Sequence, residues 1–158
     1  MLEGRSVMTI VGAVVAAAVG IHSAADRNAA GEITSAGAVD AFEVHVGDCF
    51  DDAAFASSEI SEIPGVPCSD PHDNEIYATF DLPGEWPGDE RVEELAYEGC
   101  FDRFADAVGK SYEESLIDYT TIYPSKGSWS RLGDREVICV AYHMEYEKLT
   151  GSIIGSGL

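Results

Sequence analysis

Four cysteines, Cys49, Cys68, Cys100 and Cys139, stand far apart in a chain of 158 residues, and no two form a Cys-x-x-Cys pair. That spacing argues against zinc-ribbon and thioredoxin-type motifs, which place two thiols within one turn of chain. An even, scattered set points to disulfides, which tie distant segments together and so restrict the available folds more than any other feature of this sequence. Three connectivities are open. Pairing in chain order would join Cys49 to Cys68 and Cys100 to Cys139, closing loops of about 20 and about 40 residues and contributing on the order of 3 to 4 kcal/mol each in the loop-entropy picture.

Such bridges persist only in an oxidising compartment, and the N-terminus supplies a route to one. After Arg5, the run from Val7 to Ile21 carries no acidic or basic residue. It is shorter than the ~20 residues that cross a bilayer comfortably and resembles the core of a signal peptide. Small residues at Ser23-Ala24-Ala25, and again at Ala18-Val19-Gly20, offer peptidase sites. A helix continued through Ser23 to Ala25 would instead span a thin membrane with Arg5 inside. Residues 1–25 are therefore expected to be an N-terminal membrane segment, a single-pass anchor in the cell membrane, with a cleaved signal and secretion as the alternative. Either choice puts the rest of the chain outside the cytoplasm. Residues 26–40, rich in Ala, Gly, Ser and Thr without periodicity, read as a flexible linker, and residues 41–158 as the extracytoplasmic domain.

Nine basic against 29 acidic residues give a formal charge of −20, which repels the phosphates of nucleic acid and of anionic lipid head groups. Nucleic acid is excluded as a partner on this ground. The acidity serves solubility or salt adaptation, or presents a surface to a basic partner.

Within the domain, Phe42, Val44 and Val46 alternate with polar residues and predict a short strand ending at Gly47-Asp48. Asp51 to Ile63 fits a loop or a frayed helix. Pro67 and Pro71 keep residues 64–72 out of a helix, and Ile76, Ala78 and Phe80 then alternate with Glu75, Tyr77 and Thr79 as a strand with one face in the core. After a turn containing Trp86, apolar residues at three- and four-residue steps predict a helix from Asp89, its expected N-cap, to Val108, with Gly109 as its stop. Cys100 lies on its apolar side, and Tyr97 and Phe101 read as core margin. Leu116 to Tyr123 is strand-like and stops at Pro124; Ser125 to Arg135 reads as a long polar loop around Trp129; Val137 to Ala141, apolar on both faces, reads as a central strand. Leu149 to Gly155 is a glycine-punctuated tail. The expected fold is α+β, a small mainly antiparallel sheet packed on one principal helix, with two disulfides and a preceding membrane segment.

An ordered set of short motifs then meets a known family. Gly47-Asp48-Cys49-Phe50, Val66-Pro67-Cys68-Ser69-Asp70-Pro71-His72-Asp73-Asn74-Glu75, Cys100 within a helix, Pro124, Ser128-Trp129, Gly133-Asp134-Arg135, Cys139 and Leu149-Thr150-Gly151-Ser152 together resemble the actinobacterial septum formation domain family, over about residues 42 to 154. The resemblance implies a membrane-associated, extracytoplasmic domain with a role in septum formation during cell division. It brings no activity, cofactor or catalytic residue with it.

The densest chemistry is Asp70, His72, Asp73 and Glu75, where carboxylates and an imidazole could hold a divalent ion or do acid–base work. The structural reading of the same residues is that Asp70 and Asp73 cap turns around Pro71 while His72 fixes the loop. Cys49 and Cys68 cannot ligate if they are oxidised to each other. A hydrolase would need Ser69 or Ser128 beside His72 or His143, without a Gly-x-Ser-x-Gly elbow. Arg135 is expected to pair with a carboxylate of the Asp70–Glu75 loop, holding two loops together. Trp86 and Trp129, in turn-rich loops, are candidate anchors for a partner if exposed and neighbouring, and lids over the core if buried. The expectation is a non-enzymatic cell-envelope module without a cofactor, binding a protein or cell-wall partner. The alternative is a metal-dependent or hydrolytic envelope enzyme using the Asp70–Glu75 cluster.

Overall fold

A computed structural model describes residues 23–52 and 60–158. The expected membrane segment falls mostly on residues 1–22, and the undecided stretch after Asp51 mostly on residues 53–59, so both lie outside the described residues. Among the described residues no helix is long and apolar enough to cross a membrane.

The elements run β1 (Asp26–Arg27), β2 (Ile33–Ser35), β3 (Gly37–Asp40), β4 (Cys49–Phe50), β5 (Glu62–Val66), β6 (Asn74–Asp81), α1 (Asp89–Val108), a 3-10 turn (Tyr112–Glu114), β7 (Ile117–Ile122), α2 (Lys126–Leu132) and β8 (Glu136–His143). β1 and β2 form a hairpin of their own, and the other six strands form an antiparallel sheet in the order β3-β5-β4-β6-β8-β7. The expected α+β architecture and the two disulfides are present, Cys49 to Cys68 and Cys100 to Cys139. Among the described residues a second, shorter helix, α2, joins the expected principal helix, α1.

β8 explains the layering. Its run Val137 to Ala141 is buried throughout, and alternate side chains serve opposite faces because successive Cβ atoms in a strand point apart. Val137, Cys139 and Ala141 join the core beneath α1, whose stripe Val92, Ala96, Cys100, Phe104 and Val108 is buried at four-residue steps. Ile138 and Val140 join a second core with Ile33, Val39, Phe50, Ile63 and Ile76 on the other face. β6 serves both faces through a bulge between Ile76 and Ala78. The bulge places Ile76 in the second core and Tyr77, Ala78 and Phe80 towards α1, so the simple one-face alternation expected for this strand breaks there.

Four further expectations are corrected. Residues 26–40 are not a linker: they carry β1, β2 and β3, and β3 pairs with β5 at the sheet edge. Ser23 to Ala25 is extended backbone against β3, with Ala25 N–H donating to Ala38 and Ala38 N–H to Ser23, rather than the end of a helix. Phe42 to Val46 is a pair of turns. The Asp40 carboxylate accepts the N–H of Phe42, and that of Asp48 the N–H of His45, so side-chain caps outcompete the strand ladder that the alternation suggested. Finally, Ser125 to Arg135 is not a loop but contains α2, opened by a reciprocal Ser125–Ser128 capping box and closed by Gly133 at φ 72°. At α1, Gly88 takes the N-cap position and Asp89 is the first helical residue, while Gly109 closes the helix at φ 85° as expected.

Candidate functional site

The stretch before β6 is clasped by the C-terminal tail. His72 N–H donates to the Leu149 carbonyl at 3.0 Å and Leu149 N–H returns to His72 at 2.8 Å, while Gly151 N–H reaches the Cys68 carbonyl at 2.7 Å. Pro71 sets the backbone that makes this possible, since it fixes one φ and leaves the chain extended on either side. Glu75, the second residue of β6, is fully buried. One of its carboxylate oxygens accepts the Ser152 hydroxyl at 2.5 Å and the other the Ile153 N–H at 2.6 Å. Burial pushes its carboxyl above the ordinary carboxylate range, against the pull of those two hydrogen bonds and of nearby His72.

The His72 side chain is also fully buried. Its Nδ1 sits 2.8 Å from the Asp70 carbonyl, which can only accept, so Nδ1 carries a hydrogen, and in the neutral ring the lone pair falls to Nε2. Nε2 is buried with no hydrogen-bond partner. Ligand-capable atoms of Cys49, His72 and Glu75 lie within 4.8 Å of one another, with the Cys49–Cys68 bridge at one corner.

The two aspartates of the expected cluster go elsewhere. Asp70 is exposed. Asp73 faces out, where Lys148 Nζ lies 2.8 Å from it and 2.7 Å from Asp51, and the Asp52 N–H donates to it at 2.9 Å. Partial burial pushes the Asp73 carboxyl up, but the hydrogen bonds and charge of Lys148 together with the Asp52 N–H outweigh it and hold the group below its ordinary value. The four residues therefore split into an inner pair, His72 and Glu75, and two outer carboxylates: a bend at Asp73, between the His72–Leu149 bridge and the start of β6, breaks the alternation that would have put Asp73 and Glu75 on one face.

Arg135 does not meet this loop. Its guanidinium stacks on the Trp129 ring at 3.8 Å and donates to the carbonyls of Trp129 and Asp134, because α2 brings its own indole back over the start of β8. Trp86 and Trp129 are neighbours, ring centres 5.4 Å apart and edge to face, but Trp129 is only 4% exposed and Trp86 half-buried against the α1 core. They cover the core rather than stand as free anchors. The serine–histidine pairings are not assembled: Ser128 Oγ is committed to the backbone of Ser125, and His143 Nδ1 accepts the N–H of Glu145.

Two features escaped the sequence reading. Arg27 and Asp48 form a two-pronged ion pair at 2.6 and 2.7 Å with Asp48 buried, joining the hairpin to the turn before β4. The second is an aromatic ridge across α1, the 3-10 turn and β7. Phe101 packs on Tyr112 and Tyr119, and Tyr97 on Tyr119, with ring centres 5.9 to 6.4 Å apart. Tyr97 remains 39% and Phe101 45% exposed. Their four-residue spacing on the helix was the available signal, and reading them as core margin undervalued it. On the opposite face of the sheet an open groove of about 600 Å³ runs between Phe42, Ile122, Arg131 and Leu132.

Compared with known proteins, residues 18–139 match the sequence model of a family described as septum formation. The matched region takes in β1 to β3, in keeping with their place in the β1–β2 hairpin and at the sheet edge rather than in a linker. No curated protein and no solved structure matches the chain.

Proposed function

The chain belongs to the septum formation family, and from that premise we propose that it is a non-enzymatic, membrane-associated module of the cell envelope that acts in cell division by binding a basic protein partner through the aromatic ridge of α1 and β7. The observation that carries this reading is the exposed pair Tyr97 and Phe101, backed by Tyr112 and Tyr119 and continuous with buried Phe104. Rigid aromatic side chains seated on a core present contact area at small entropic cost, which is the character of an interface anchor. Glu93, Glu94, Glu98 and Asp102 are exposed around them on the same helix, and a formal charge of −20 favours a partner of opposite sign. Two disulfides and the apolar run Val7 to Ile21 support placement on the outer side of the cell membrane.

The test is a photo-crosslinking residue in place of the exposed Glu98, beside the ridge on α1, in the full-length protein in its native cells, with Tyr97→Ala/Phe101→Ala added to the same crosslinking protein as the control. A crosslink to a basic envelope protein, lost in the double variant together with normal septa while the melting temperature stays within a few degrees of wild type, is the expected result. Normal septation in cells carrying the double variant, or in cells lacking the protein, would overturn the proposal.

A further inference from the structure

We propose that the Cys49–Cys68 disulfide caps a latent zinc site, and that its reduction releases two thiolates which, with His72 Nε2 and the Glu75 carboxylate, bind one Zn²⁺. Three observations converge on this. The first is distance: ligand-capable atoms of Cys49, His72 and Glu75 already lie within 4.8 Å of one another, and Cys68 is bonded to Cys49. Ligands of a tetrahedral zinc held at ordinary bond lengths are separated by about 3.3 to 3.8 Å, so the group needs only a small contraction around an ion.

The second is the orientation of His72. A metal-binding imidazole characteristically donates its other ring N–H to a backbone carbonyl or carboxylate, which fixes the tautomer and aims the lone pair. His72 does this already, with Nδ1 on the Asp70 carbonyl at 2.8 Å.

The third is the orphaned atom. Nε2 is buried without a partner, and a native chain leaves a buried polar atom in that condition rarely and at a cost. A state in which Nε2 is satisfied accounts for it, and the His72 ring lies beside the Glu75 carboxylate and the Cys49–Cys68 bridge, a set of groups that suits zinc once the bridge is reduced. The other disulfide has no such setting. Cys100 and Cys139 lie in the apolar core beneath α1, among aliphatic and aromatic neighbours.

The chemistry balances with a thiol reductant. A reductant thiolate attacks the sulfur of Cys68, the less buried of the two residues, and Cys49 leaves as the thiolate. A second reductant thiolate attacks the reductant sulfur of the mixed disulfide and frees Cys68. Two electrons pass to the protein, and the reductant leaves as its own disulfide. Zn²⁺ then takes both thiolates, and any proton they carry is released to solvent.

The full-length protein, stripped of metal, is compared oxidised and after reduction with a phosphine, which takes up oxygen from water and leaves the same thiols. Reduced protein is expected to bind one equivalent of Co²⁺ with the intense visible bands of a tetrahedral site and a thiolate-to-cobalt charge-transfer band, both abolished by one equivalent of Zn²⁺. Oxidised protein should show neither. In the reduced wild type, zinc-dependent protection from alkylation should be confined to Cys49 and Cys68, and this needs no variant. His72→Ala should weaken Co²⁺ binding at least tenfold. Absence of the charge-transfer band, zinc protection at Cys100 and Cys139 instead, or unchanged affinity in His72→Ala would each overturn the site. If reduction loosens the fold, added Zn²⁺ should restore the native circular dichroism, and failure to do so counts equally against it.

Discussion

Asp48 is a buried carboxylate whose desolvation is offset by three partners: the two prongs of Arg27 and the N–H of His45 at 2.7 Å. Arg27 is held in turn by the Gly31 carbonyl at 2.6 Å. Removing one member of such a pair leaves the other charge buried and uncompensated. Arg27→Ala should therefore cost about 2 to 4 kcal/mol in urea unfolding, and Arg27→Lys should recover only part of it, since an ammonium cannot make the fork. A cost below about 0.5 kcal/mol would mean that the hairpin is not docked. Glu136 makes a contrasting case. Burial, with Asp81 and Asp134 nearby, raises its carboxyl above the ordinary 4.5, against a hydrogen bond from Thr79. The folded chain then holds its proton more tightly than the unfolded chain, so the group's stabilisation is full below that ordinary value and is lost as pH rises through the raised one. Glu136→Gln should raise the melting temperature at about pH 7 and make no difference at about pH 3, and a pH-independent effect would contradict this origin.

Among the elements, α1 shows where local propensity and packing disagree. Gly99 lies mid-helix, where alanine would ordinarily stabilise by about 1 kcal/mol. A Cβ there would overlap the ring of Phe80, the same ring on which Arg103 stacks at 4.1 Å while donating to the Gly99 carbonyl at 2.8 Å. Gly99→Ala is expected to destabilise by about 1 to 2 kcal/mol through that displaced ring. A gain in stability would show that Phe80 swings aside freely. α1 itself was legible from the sequence because its apolar period and its glycine stop are local properties of the chain. α2 was equally local, since Ser125, Ser128 and Gly133 spell its caps. Its seven residues were hidden by polar content, with Trp129 supplying the one buried side chain.

For the molecule as a whole, the two bridges do different work. Cys100–Cys139 ties α1 to the central strand across 39 residues, and Cys49–Cys68 ties β4 to the segment before β6 across 19. The loop-entropy picture assigns about 4 and about 3 kcal/mol to them. Cys100→Ser/Cys139→Ser should cost more than that entropy alone, because two hydroxyls enter an apolar core, and more than the corresponding pair at 49 and 68. Equal midpoints of denaturation for the two double variants would count against this ordering. The Cys49–Cys68 bridge also marks where the domain holds its tail, since Cys68, His72 and Glu75 are the residues on which Leu149 to Ile153 hang.

The sequence by itself determined the α+β class, the extent of α1, the interior place of β8 and that the four cysteines form disulfides, though not which pair with which, because period, caps and cysteine spacing act over a few residues or through the chain's covalent logic. It also carried the family resemblance. Only the tertiary structure decided that residues 26–40 form a hairpin and the edge strand of the sheet, that Asp70 and Asp73 part from His72 and Glu75, that Arg135 turns to Trp129, and that Tyr97 and Phe101 stand out as a ridge. Each of those outcomes depends on which distant group arrives at hydrogen-bonding or contact distance, and pairing across tens of residues leaves no periodic trace in either partner's own segment.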